Sequence, residues 1–146
     1  MKARMLFIVW VATGLVLASA AFASPPSTPS QFTPAKLQAI EDNLLLCFAS
    51  EIPGVRASAA LTLRQLKAVA GEYSFSRSII PLMRIVKGEQ YDVCSRVAAA
   101  LALHSLESAR GDYAISTTAR FTEVAKVKFF CEHLAHARAQ ETLASR

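Results

Sequence analysis

The chain has 146 residues, 53% of them hydrophobic, 18% charged and 8% aromatic, with 16 Lys and Arg against 11 Asp and Glu. That much apolar side chain with that little charge excludes a disordered chain, and the length suits one domain. Beyond residue 23 only four glycines and no tryptophan remain, which excludes collagen-like and other fibrous classes.

Lys2 and Arg4 precede an apolar or small stretch from Met5 to Leu17. Ala21-Phe22-Ala23 then offers the small residues that a signal peptidase reads, and Ser24-Pro25-Pro26 stops a helix. Residues 1–23 are therefore expected to be a cleaved signal peptide. A retained anchor is the competing reading, because the 18 residues from Met5 to Phe22 carry no charge. Cleavage implies a periplasmic or secreted protein with no membrane span. It leaves 14 basic against 11 acidic side chains, a net charge of +3. That is too weak to argue for nucleic acid, and no run of Lys and Arg suggests a membrane surface.

Residues 24–33 are rich in Pro, Ser and Thr without periodicity and read as a flexible arm. Residues 34–146 form the domain. Thr33-Pro34 reads as an N-cap followed by proline at the first helical position. Leu37, Ile40, Leu44, Leu45 and Phe48 follow at helical spacing. Gly54, Gly71, Gly88 and Gly111 fall between the later periodic segments, where a helix stops. They divide the domain into helices near 34–49, 54–70, 77–87, 92–109, 112–120 and 123–141. Pro81 places the start of the third within a turn of itself. Short connections make neighbouring helices antiparallel, and no stretch alternates with period two. The expected fold class is all-α.

Two segments match without a gap at an offset of 40 residues. Val55-Arg56-Ala57-Ser58-Ala59-Ala60-Leu61 runs parallel to Ser95-Arg96-Val97-Ala98-Ala99-Ala100-Leu101. A weaker third copy begins at Val127-Lys128, 32 residues further on, and carries Cys131, Leu134 and Ala135. Two helices per repeat imply a stack in which each pair buries a face against the next.

Glu51-Ile52-Pro53-Gly54-Val55-Arg56, followed by Ala-rich apolar residues, resembles the second helix of a HEAT repeat. Ile79-Ile80-Pro81-Leu82-Met83-Arg84-Ile85-Val86 resembles a HEAT first helix, and Asp92-Val93-Cys94-Ser95-Arg96 the turn after it. The resemblance to small exported bacterial HEAT-like proteins covers roughly residues 37–137. It implies an alpha solenoid of three helix pairs, working as a protein–protein interaction module, and second helices that line a concave side. The third copy departs from the pattern, with Phe129-Phe130 where small residues are usual.

On a helical wheel the second helix leaves a thin polar arc of Arg56, Ala60, Arg64 and Lys67. The next pair offers Arg96, Ala100, His104 and Glu107, and the third Lys128, Glu132 and His136. Arg64, Lys67, His104, Glu107, Glu132 and His136 are thus the candidate contacts for an acidic protein partner, with stronger binding below pH ~6.5 where histidine charges. The competing account makes these the solvated edges of buried helices. Arg56, Arg96 and Lys128 read as structural, the arginines pairing with Glu51 or Asp92 in the preceding turns. Self-association through the end faces is also open.

Cys47, Cys94 and Cys131 each sit in an apolar helical stretch and read as three buried thiols, with one intramolecular disulfide as the alternative. Cys131, His133 and His136 offer a second functional reading, a small-ligand or metal-binding protein built on the third pair. One helix cannot supply a full tetrahedral set, however, and His133 falls on the stripe of Leu61 and Leu101, which predicts burial. Arg110-Gly111-Asp112 is explained by a helix end and an N-cap. Glu41-Asp42 are adjacent carboxylates that point different ways around a helix. No nucleophile elbow and no phosphate loop occurs, so no catalytic residue and no cofactor is predicted.

Overall fold

The computed structural model describes residues 32–145. The expected signal peptide and most of the expected arm lie outside the described residues. Six helices follow in order: α1 Pro34–Phe48, α2 Pro53–Ala70, α3 Ser76–Lys87, α4 Val93–Ser105, α5 Ala109–Phe121 and α6 Ala125–Ala144. No strand occurs among the described residues, and the fold is all-α.

Helix α1 starts as its sequence predicts: the Thr33 hydroxyl accepts from Lys36 N–H at 3.3 Å and Pro34 takes the first position. Phe32, inside the expected arm, is half-buried against the core. Helix α3 starts a full turn before Pro81, which lies inside it. Its N-cap, Phe75, has φ 43° and offers no side-chain acceptor. The acceptor comes from another helix. The Glu41 carboxylate, 1% exposed, takes hydrogen bonds from Ser78 N–H and Ser78 Oγ at 3.0 Å and from the Tyr73 hydroxyl at 3.2 Å. Asp42 pairs with Arg77 on the same turn. The two adjacent carboxylates point different ways, yet both serve the first turn of α3, Glu41 from the core and Asp42 from the surface.

Helix α4 stops at Ser105, four residues earlier than the periodicity suggests, because Glu107 turns left-handed at φ 52°. Ser108 then caps α5 by accepting from Gly111 N–H at 3.0 Å. Gly111 thus opens a helix instead of ending one, and Asp112 lies within its first turn. A Cβ there would stand 2.9 Å from Ser108 Oγ and 3.3 Å from Leu103 Cδ2. Glycine is what lets α5 start this close to α4.

Each helix packs on its chain neighbour as α1–α2, α3–α4 and α5–α6, while α1–α3–α5 and α2–α4–α6 touch in succession as two layers. Leu63, Leu82, Ile85, Leu103, Ile115, Val127 and Cys131 fill the space between the layers. Removing such a side chain from water is worth about 1.5–3 kcal/mol. Helix α4 is central, touching α2, α3, α5 and α6. Its Ala98, Ala99, Ala100 and Ala102 are small where four neighbours crowd in.

The arginines at the 40-residue offset do one job twice. Arg56, 7% exposed, donates from Nη1 to Ser50 O at 2.7 Å and from Nη2 to Asp92 at 3.1 Å, with its guanidinium over the Tyr91 ring. Arg96, 2% exposed, donates from Nε to Val86 O at 3.0 Å and from Nη2 to Thr122 Oγ1 at 3.1 Å. Each clamps the end of the first helix of its pair to the turn that leads into the second helix of the next. The pairing expected with the preceding turn is therefore corrected: Arg56 bypasses exposed Glu51, and Arg96 leaves Asp92 to Arg56.

Candidate interaction surface

The buried positions fix which way each second helix faces. Arg56, Ala60 and Leu63 are buried on α2, and Arg96, Ala100 and Leu103 on α4. Val127, Cys131 and Leu134 repeat that spacing on α6. The third copy is thus displaced by 31 residues and not 32. Lys128, Glu132 and His136 miss the register of Arg96, Ala100 and His104 and are exposed. The expected arc also points differently: its Arg56–Ala60 half is core, and only Arg64 and Lys67 emerge beyond it.

One turn around from the buried stripe the layer is apolar and open. Val93, Val97 and Leu101 form a floor along α4. Ala57 and Leu61 of α2 rise on one side, with Lys126 and Phe130 of α6 on the other. Together with Cys94 and Ala98 they line a groove of about 460 Å³. Leu61 and Phe130 remain about two-fifths exposed, at 41% and 40%. Helices in contact lie 8–10 Å apart, so two walls separated by a recessed helix leave roughly the width of one further helix. The α2 stripe continues through Arg64 and Ala68, and the α4 stripe through Ser105. With Lys67, Gly71 and Glu107 they border a second cleft of about 430 Å³.

Of the six candidate contacts, this cleft brings together Arg64, Lys67 and Glu107. Arg64 is exposed and pairs with no described residue, whereas Lys67 is engaged in capping α2, donating to Gly71 O at 2.7 Å and to Tyr73 O at 3.3 Å. Glu107 lies 4.0 Å from Arg138. His104 is half-buried, and its Nε2 is enclosed without a partner. Burial first, then the Arg138 guanidinium, pushes this imidazole below its ordinary value, outweighing Glu141 and Asp112. The expected gain of charge is therefore moved to lower pH at His104. Glu132 and His136 lie apart on exposed α6.

The thiols also divide. Cys131 is fully buried, and burial pushes it up to about 11. Cys47 is half-buried, and Cys94 is exposed at the second position of α4, so the expectation of three buried thiols holds for one. No two of them are bonded. His133 is exposed, not buried, because the one-residue change of register turns it outward. Buried Cys131 and exposed His133 and His136 do not converge, and no three metal-binding side chains come together among the described residues. Nor is any described helix long and apolar enough to cross a membrane.

No family model, curated protein or solved structure matches the chain. The stripe of Leu61 and Leu101, expected to be buried, instead lines this open groove: with Ala57 it faces no further layer of helices, and Leu61 stays 41% exposed.

Proposed function

We propose that this is a non-catalytic, HEAT-like helical-repeat protein of the bacterial envelope, exported by its signal peptide and acting as a protein–protein interaction module. Its three helix pairs read as a short solenoid. Its second-helix layer takes an amphipathic, partly acidic helix of a partner protein. The groove over α4 carries this reading, since an open apolar channel one helix wide fits the apolar face of such a helix. Lys126 gives the groove a positive charge with no carboxylate in its lining, and the adjoining cleft adds Arg64 and Lys67 against Glu107.

The test uses the exposed thiol already in the groove. The mature chain with Cys47→Ser, labelled on Cys94 with a photo-crosslinker, is returned to its native envelope and irradiated. The expected product is one protein, crosslinked through an apolar and acidic helical segment. Leu61→Asp places a charge on the groove wall and should weaken capture by roughly thirtyfold, or about 2 kcal/mol. Arg64→Glu should weaken it severalfold, and Glu132→Gln should leave it unchanged. Equal capture by Leu61→Asp, with helicity intact by circular dichroism, would defeat the proposal.

A further inference from the structure

Arg96 brings a charge into the interior with no carboxylate against it. The residue is 2% exposed, and none of the ion pairs among the described residues includes it. An uncompensated buried ion costs several kcal/mol. The carbonyl ends of α3 and α5, reached through Val86 O and the capping residue Thr122, supply only partial negative charge. Two guanidinium nitrogens are thereby used, while Nη1 donates to no group among the described residues.

Arg96 borders a pocket of about 130 Å³ where the ends of α3 and α5 meet α4. Thr118 borders it too. That residue is 5% exposed, and its Oγ1 is enclosed without any hydrogen-bond partner. A hydroxyl sealed in this way is destabilising unless something accepts its proton. Lys87, exposed at the end of α3 with its ammonium over the Tyr113 ring, brings a second positive charge. Glu89 also lines the pocket and opposes an anion, though it is exposed to water that screens it.

We propose that this pocket binds a tetrahedral oxyanion, a phosphate or sulfate group either free or at the end of a larger molecule. Arg96 Nη1 and Thr118 Oγ1 donate to its oxygens, and the Lys87 ammonium closes over it. The bound group supplies the counter-charge that Arg96 lacks and the acceptor that Thr118 lacks. The site shares no residue with the groove over α4, so either can fail without the other.

The experiment titrates inorganic phosphate into the mature chain at constant ionic strength, with chloride as reference, following thermal unfolding and binding heat. A saturable rise in Tm is expected with phosphate and none with chloride. Lys87→Gln and Thr118→Val should each weaken binding roughly tenfold, the loss of one charge-assisted contact. Glu89→Gln should strengthen it. Arg96→Ala removes a clamp of the fold, so Thr118→Val is the decisive variant. It deletes the stranded hydroxyl at nearly constant shape, raising the Tm of the unliganded protein while shifting the phosphate response to roughly tenfold higher concentration. Glycerol phosphate, and vesicles of phosphatidic acid against phosphatidylcholine, separate a soluble monoester from a lipid headgroup. No saturable response to any phosphate form overturns the proposal, as does equal affinity in Thr118→Val and the unmodified protein.

Discussion

Replacing Glu41 by alanine should be among the most damaging single changes in this domain. The carboxylate satisfies three donors on α3 and the turn before it: Ser78 N–H, Ser78 Oγ and the Tyr73 hydroxyl. Ser78 is fully enclosed, so water cannot take over when the acceptor goes. Each stranded buried donor costs about 1–3 kcal/mol, and the lost charge at a helix N-terminus adds up to about 2. Partial relaxation around Tyr73 lowers the total, giving about 3–5 kcal/mol, a large share of the 5–15 that a domain of this size holds. Glu41→Gln keeps one carbonyl for Ser78 and should cost about 1–2 kcal/mol. Urea unfolding, followed by circular dichroism, measures both. A double-mutant cycle with Ser78→Ala should then return a coupling of about 1–3 kcal/mol. A cost below about 1 kcal/mol for Glu41→Ala, or equal costs for Ala and Gln, would show that the remote cap is not what starts α3.

Three further outcomes follow from the geometry. Glu107→Gly should stabilise by about 1 kcal/mol in the same urea assay, since φ 52° strains any side chain and Arg138 lies at the limit of a weak ion pair. The half-buried His104 is depressed in the folded state, so as pH falls the unfolded chain takes the proton first. Stability should therefore drop from about pH 6.5 until the folded imidazole also titrates, and His104→Gln should flatten that slope. Under native conditions a thiol reagent followed by mass spectrometry should modify Cys94 first and Cys47 more slowly, leaving Cys131 until the chain unfolds.

The sequence made the helices legible and their facing only partly so. Gly71 and Gly88 end α2 and α3 as their positions predict, and the Thr33-Pro34 signature begins α1. Local rules failed where the deciding group was distant. Helix α3 is capped from residue 41, which no window around Phe75 contains. Arg56 and Arg96 look like surface residues on a wheel because their acceptors, Asp92 and Thr122, lie 36 and 26 residues away. Matching Lys128 to Arg96 by charge puts the third copy one residue out of register. Packing instead aligned the apolar run Val127, Cys131 and Leu134 with Arg96, Ala100 and Leu103. The groove depends on three helices lying side by side, a relation that no single wheel contains.

The paired clamps set a rule for lengthening or shortening the chain. Each arginine finds one acceptor in its own helix pair and the other in the pair that follows. A helix pair deleted from the C-terminal side would strand Arg96 with half its contacts, and one inserted between the first and second pairs would part Arg56 from Asp92. Growth by duplication is tolerated only where the incoming pair opens with an oxygen in the place of Asp92 or Thr122. The clamp thus works as a grammar for joining helix pairs, and it resists fraying as well: peeling one pair away leaves a half-satisfied cation on one side of the break, which favours unfolding of the six helices as one unit.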